Sequence, residues 1–139
     1  MKPEPVVVPG WPRPSGYSNG VLAPAGARIL FVAGQIGWDE KQQIVSADFV
    51  AQFRKALENV VAVVRAAGGE PSDVVRLTVF VTDKRAYAKR LKEVGECYRS
   101  VMGKVFPAMS LVQVAELLEE GALVEIEATA ALAAESNRR

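Results

Sequence analysis

Histidine is absent from this sequence, and cysteine occurs once, at Cys97. Without histidine, the chain lacks the side chain that most often binds metals or acts as a general base near neutral pH. Acid–base chemistry would therefore rely on carboxylates, tyrosine, lysine or ordered water. A lone cysteine excludes a disulfide within the chain and is typical of a reducing compartment.

The sequence also lacks a charge excess of either sign and a long apolar run. Seventeen Lys and Arg residues against sixteen Asp and Glu residues give a formal charge of +1, so there is no global basic field for nucleic acid. No run reaches transmembrane length, and the proline-interrupted start lacks the apolar core of a signal peptide. We therefore expect a cytoplasmic protein without a nucleic-acid or membrane partner.

The 139 residues, half of them hydrophobic, fit a single domain with one core, spanning residues 1–139. Proline and glycine are concentrated in residues 1–20, an N-terminal segment that cannot be helical because proline recurs. Its aromatic residues Trp11 and Tyr17 would either cover an edge of the core or wall a pocket. Residues 135–139 are predicted to be a frayed polar tail.

Apolar periodicity predicts the element order β-β-β-α-β-α-β-β. The first long helix is expected to begin with Ser46 as its N-cap and to end at Gly68-Gly69. The second is expected to follow Asp83 and to run to about residue 102, with a basic face that includes Lys92 and Arg99. That face is interpreted as solvated, because no aromatic residues interleave with its charges.

These elements predict an α+β fold: a mixed six-stranded sheet with both helices on one face. The other face also carries apolar residues, among them Val112. An uncovered apolar sheet face favours self-association.

Two strand-like runs close the chain, at residues 108–115 and 123–132. Side chains alternate along a strand, so Glu125 and Glu127 share one face of the second run. If the two runs pair, the chemistry should lie where Met109 and Glu125 approach. The alternative is that the two glutamates pair with arginines such as Arg76 at an interface between subunits.

Several segments resemble the RidA/YjgF family of reactive-intermediate deaminases, and together they cover nearly the whole chain in the same order. They are Gly16-Tyr17-Ser18, FVAGQIGWD (31–39), ALENV…AAGG (56–69), TVFVTD (78–83), FPAMSLVQVAEL (106–117) and VEIEATA (124–130).

The resemblance implies a chorismate-mutase-like fold and a homotrimer whose sheets form a central barrel. It also implies clefts between subunits that bind a small molecule. Enzymes of this family hydrolyse enamines and imines to 2-oxo acids and ammonia without a cofactor, and no metal site is expected here.

The resemblance assigns roles to particular positions. Glu125 matches the glutamate that positions the attacking water, and Tyr17 matches a tyrosine that lines the cleft. Ala33 and Gly34 match the strand whose backbone lies near the substrate, and Gly34 is also expected to mark a bulge or a close backbone approach.

Three positions depart from the family pattern. Met109 stands where an arginine binds the substrate carboxylate, Ala33 where a serine is common, and Leu111 where a cysteine is common. Loss of a bidentate arginine contact argues against standard 2-aminoacrylate deamination. Arg13 is a candidate replacement. The sequence thus favours a modified imine deaminase; the alternative is a non-catalytic small-molecule-binding or regulatory trimer.

Overall fold

The computed structural model describes residues 1–135, which contain six strands and three α-helices. In chain order they are β1 (Glu4–Val6), β2 (Gly20–Leu22), β3 (Arg28–Ile36), α1 (Phe49–Ala66), β4 (Val74–Val81), α2 (Lys84–Lys89), α3 (Leu91–Met102), β5 (Ala108–Gln113) and β6 (Val124–Leu132). All but the first residue of the predicted tail lies outside the described residues.

The α+β class is confirmed, but the prediction of one six-stranded sheet is wrong. Four strands form the main sheet in the order β3-β6-β4-β5, and β1 pairs only with β2. Strand β1 is three residues long and contains Pro5, which has no N–H to donate. It can therefore form only a short antiparallel ribbon, with Pro5 opposite Val21.

The two closing strands do not pair, because β4 lies between them. Strand β5 is parallel to β4, with Met109 opposite Leu77, whereas β6 is antiparallel to β4, with Glu125 opposite Phe80. Leu77 is buried beneath the helices and Phe80 faces the other side, so Met109 and Glu125 lie on opposite faces of the sheet. The expectation that they approach within one chain is therefore wrong.

Helix α1 covers β3 and β6 with the predicted apolar stripe, which includes Phe53, Leu57 and Val60. Its N-cap is Asp48 rather than Ser46, since the Asp48 carboxylate accepts the Ala51 N–H at 3.0 Å. The predicted end is confirmed.

The second predicted helix is interrupted at Arg90, which leaves the helical conformation between α2 and α3. Its guanidinium contacts Asp48 at the start of α1 and lies 2.6 Å from Glu93. Hydrogen bonds from Arg90 lower the pKa of both carboxyl groups below their ordinary values. The break thus ties α2 and α3 to the beginning of α1.

The face of the main sheet away from the helices is open. Phe31 on β3 is 78% exposed, and Ile29 and Val112 are also exposed. The predicted placement of the helices on one face is therefore confirmed. No helix within residues 1–135 has the length and apolar character needed to cross a membrane.

Candidate functional site

A cleft of about 420 Å³ opens beside the edge strand β5, on the helix side of the sheet. Of the predicted site residues, Tyr17, Met109 and Leu111 line it together. Met109 and Leu111 are two residues apart on β5, so strand alternation presents both to the cleft. The remaining walls are mostly aromatic and aliphatic, which suits a small ligand with an apolar body.

The N-terminal segment is anchored so that Tyr17 reaches this cleft. The Ser18 N–H donates to the Pro107 carbonyl at 3.1 Å, and the Ser18 hydroxyl donates to the Phe106 carbonyl. Ser18 also forms an isolated parallel bridge with Ala108 at the start of β5. The buried Ser18 thereby fixes Tyr17 beside the strand that carries Met109.

A second cavity, of about 550 Å³, lies under the N-terminal segment and shares Tyr17 and Phe106 with the cleft. Trp11 lines it, so Trp11 and Tyr17 are pocket walls. Arg13 also lines this second cavity and does not line the cleft. The structure therefore gives no support to Arg13 as the replacement for the arginine absent at Met109.

Glu125, Ala33 and Gly34 form a separate group on the open side of the sheet. The register between β3 and β6 shifts between Val32 and Gln35, so Ala33 and Gly34 are a bulge. A Cβ built on Gly34 would lie 2.7 Å from Glu125 Cδ and 2.9 Å from its Cγ. Gly34 therefore marks both a bulge and a close approach, as predicted.

No predicted arginine pairs with the two glutamates inside the chain. Within residues 1–135 the ion pairs involve Lys2, Arg54 and Arg90, and neither Glu125 nor Glu127 takes part. Pairing with Arg76 across a subunit interface remains a prediction. No group of three potential metal-ligating side chains is assembled in the same described region.

Helices α2 and α3 supply three cleft residues that were not predicted to be site residues, namely Tyr87, Gly95 and Arg99. Arg99 was predicted to lie on a solvated face. Burial raises the pKa of Tyr87 above its ordinary value. Its hydroxyl can donate a hydrogen bond to a ligand. Gly95 in the middle of a predicted helix was the signal that could have drawn attention to this wall, because glycine is unfavourable there.

This α+β sheet with a small-molecule-sized cleft at its edge has the architecture of the chorismate-mutase-like group. Residues 12–132 match the family model described as Endoribonuclease L-PSP. The chain belongs to that family, also called RidA/YjgF or Rid.

Individual relatives agree with this assignment. The chain is 39% identical over 121 residues to a RutC family protein of Pyrococcus horikoshii, covering 86% of this chain and 90% of that one. It is 40% identical over 102 residues to 2-iminobutanoate/2-iminopropanoate deaminase of Salmonella typhimurium, covering 73% and 78%. The crystal structure of the Rid family protein YyfB of Yersinia pestis superposes with a TM-score of 0.83, at 31% identity, over 95% of this chain and all of the other.

Proposed function

We propose that this chain forms a homotrimer whose composite clefts hydrolyse an enamine or imine of a small metabolite without a cofactor, in the cytoplasm. Glu125 would position the attacking water. The deaminase relatives support the reaction class. The observation that carries the proposal is the close packing of the Glu125 side chain against Gly34 on an otherwise uncovered sheet face.

Self-association is needed because the two parts of the site lie on opposite faces of one sheet. Tyr17, Met109 and Leu111 line the cleft, whereas Glu125 lies on the open face. A site that uses both must combine the cleft of one copy with Glu125 of another. A ring of copies related by a head-to-tail interface meets this requirement and also covers exposed Phe31.

The chemistry needs one water and one carboxylate. Water attacks the carbon of the C=N bond, a C–O bond forms, and the π electron pair moves to nitrogen. Glu125 accepts a proton from this water and returns it to the nitrogen. Glu125 then takes the proton of the new hydroxyl group and delivers it to the amino nitrogen, so that the C=O bond forms while the C–N bond breaks and the oxo compound and ammonia leave. Glu125 thus acts as base and then as acid, as a single carboxylate can.

Met109 makes the substrate different from that of a relative with arginine at this position. A methionine offers a flexible, polarizable surface and no hydrogen-bond donor for a carboxylate. We therefore expect weak activity on the small imine derived from 2-aminoacrylate, and stronger activity on imines with a larger apolar side chain.

The alternative is a trimer that binds a small molecule without catalysis. The apolar pair Met109 and Leu111, at positions where the family has arginine and cysteine, favours this alternative. The two hypotheses share the assembly and the cleft, and they differ only in whether Glu125 has a chemical role.

Oxo-acid release from an imine generated in situ from leucine separates the two hypotheses. We expect wild-type protein to accelerate release above the rate in buffer and Glu125→Ala to abolish that acceleration, with Glu127→Ala as the matched control on the same strand. An inactive wild type together with an active Met109→Arg variant would contradict the deaminase proposal. It would favour a site that has lost its catalytic activity.

A mixing experiment tests whether the site is shared between copies. Glu125→Ala and Leu111→Trp, which fills the cleft, should each be inactive alone. After unfolding and refolding an equal mixture, about a quarter of the sites in a randomly mixed ring would combine an intact cleft with an intact Glu125. Recovery of no activity from verified mixed trimers would contradict the composite site. Light scattering that gives only the 15.0 kDa monomer would contradict the trimer.

A further inference from the structure

The cleft beside β5 is electrostatically one-sided. Arg99 on α3 lines it, and within residues 1–135 no other charged side chain does. The strand wall opposite is apolar at Met109 and Leu111. A cation at the wall of an apolar cleft attracts anions, because no negative side chain of the cleft neutralises its charge.

Arg99 is also free to act on a ligand. Two other arginines of the helical layer are engaged: Arg90 binds Asp48 and Glu93, and Arg54 binds Ser100 and Glu58. Arg99 takes part in none of the ion pairs formed by residues 1–135.

The Arg99 guanidinium packs over Gly95, one helical turn earlier. A Cβ built on Gly95 would lie 3.4 Å from the Arg99 Nη1 atom and 4.0 Å from Nη2, so the guanidinium lies directly over the glycine. Both residues line the cleft. Glycine in a helix interior is unfavourable relative to alanine. Alanine would make only an ordinary contact with the guanidinium here, whereas a larger side chain would occupy the space that the guanidinium fills.

Two tyrosines complete a polar arrangement suited to a carboxylate. The hydroxyl of Tyr98 donates to the Val105 carbonyl. Tyr17 and Tyr87 also line the cleft, and their hydroxyls form no hydrogen bond within residues 1–135. A guanidinium and hydroxyl donors that line one cleft can together hold a carboxylate.

We propose that Arg99 is the anion anchor of this cleft and that it binds the carboxylate of a small 2-oxo or 2-imino acid whose apolar side chain packs against Met109 and Leu111. Relative to a site with its arginine on β5, the anchor has moved from the strand wall to the helix wall. The inference rests on the proposed function for the identity of the cleft, but it concerns binding and needs no turnover.

Isothermal titration calorimetry with 4-methyl-2-oxopentanoate tests this anchor. We expect wild-type protein to bind the oxo acid, to bind it more weakly as salt increases, and to bind the neutral 4-methyl-2-oxopentanamide much more weakly. Arg99→Gln should weaken binding at least about 10-fold, the loss typical of a charged hydrogen bond. Lys92→Gln, an exposed change on the same helix, should have no effect.

Two further variants separate an anion anchor from a structural role. Gly95→Leu should displace the guanidinium and weaken binding although Arg99 is intact. Met109→Arg in the Arg99→Gln background returns a guanidinium to the opposite wall and should restore binding. Circular dichroism and thermal unfolding would verify that each variant is folded.

The failures of the two proposals are distinguishable. Wild-type protein that does not bind the oxo acid, or an Arg99→Gln variant that binds it as well as wild type, would overturn the anchor. Imine hydrolysis that is unaffected by Arg99→Gln would also overturn it and would leave the proposed function standing. An inactive wild type that binds the oxo acid through Arg99 would support the anchor and contradict only the proposed hydrolysis.

Discussion

Gly34→Ala is the substitution that most directly tests the role of Glu125. The added methyl carbon would lie 2.7 Å from Glu125 Cδ, against about 3.4 Å for an ordinary contact, so the carboxylate must move by about 0.7 Å. Gly34 does not have a positive φ, so its backbone accepts alanine. The collision is with the end of a flexible side chain rather than with backbone.

The expected effect is a large loss of activity with little loss of stability. Forcing the Glu125 side chain about 30° away from its preferred rotamer costs about 0.5–1.5 kcal/mol. Replacing glycine where the backbone permits alanine returns about 0.4–1 kcal/mol through the unfolded state, so the free energy of unfolding should change little. A misplacement of this size at a reacting centre can lower the rate constant roughly 10- to 100-fold.

The assay is oxo-acid release from the leucine imine, with urea unfolding at a fixed protein concentration beside it. Gly20→Ala is the matched control, since a Cβ there would meet only Val6 Cβ at an ordinary 3.7 Å. Normal activity in Gly34→Ala would refute the reasoning, and so would an equal loss of activity in Gly20→Ala.

Three other changes probe the fold and the assembly. Gly37→Ala should destabilise the protein by about 1–3 kcal/mol in urea unfolding, because its Cβ would lie 2.7 Å from the Gln52 Cα, which is helix backbone and cannot yield cheaply; unchanged stability would contradict this packing. Gln52→Ala should lower the free energy of unfolding by about 2–4 kcal/mol in the same assay. The fully buried Gln52 amide donates to the Gly121 carbonyl and accepts the Leu123 N–H at 2.8 Å. A loss below that range would show that water replaces these bonds. Phe31→Glu should dissociate the oligomer in light scattering while far-ultraviolet circular dichroism stays unchanged, because Phe31 is 78% exposed in the single chain; a variant that stays trimeric would place the interface elsewhere.

The N-cap of α1 and the break before α3 show where local sequence was insufficient. Ser46 and Asp48 are both good capping residues. Asp48 is the N-cap in the structure, and its carboxylate also contacts Arg90, between α2 and α3. The periodicity of residues 84–102 is continuous through Arg90. The interruption coincides with tertiary contacts that no local pattern contains.

The candidate site, too, was predictable from local sequence only in part. The motifs singled out Tyr17, Gly34, Met109, Leu111 and Glu125, and the close approach at Gly34 followed from a glycine inside a strand pattern. The sequence could not show that these residues form two groups on opposite faces, because that depends on β4 lying between β5 and β6.

By itself, the sequence determined the α+β class, the faces of the strands and the family, because these follow from periodicities and motifs that are local in the chain. Only the tertiary structure decided the strand order, the separation of Met109 from Glu125, and the presence of Arg99 in the cleft. The physical reason is that strand order and cavity walls are set by pairings between residues far apart in sequence. The basic face of α3 was predicted to be solvated, but packing beside β5 brings one arginine of that face into the cleft.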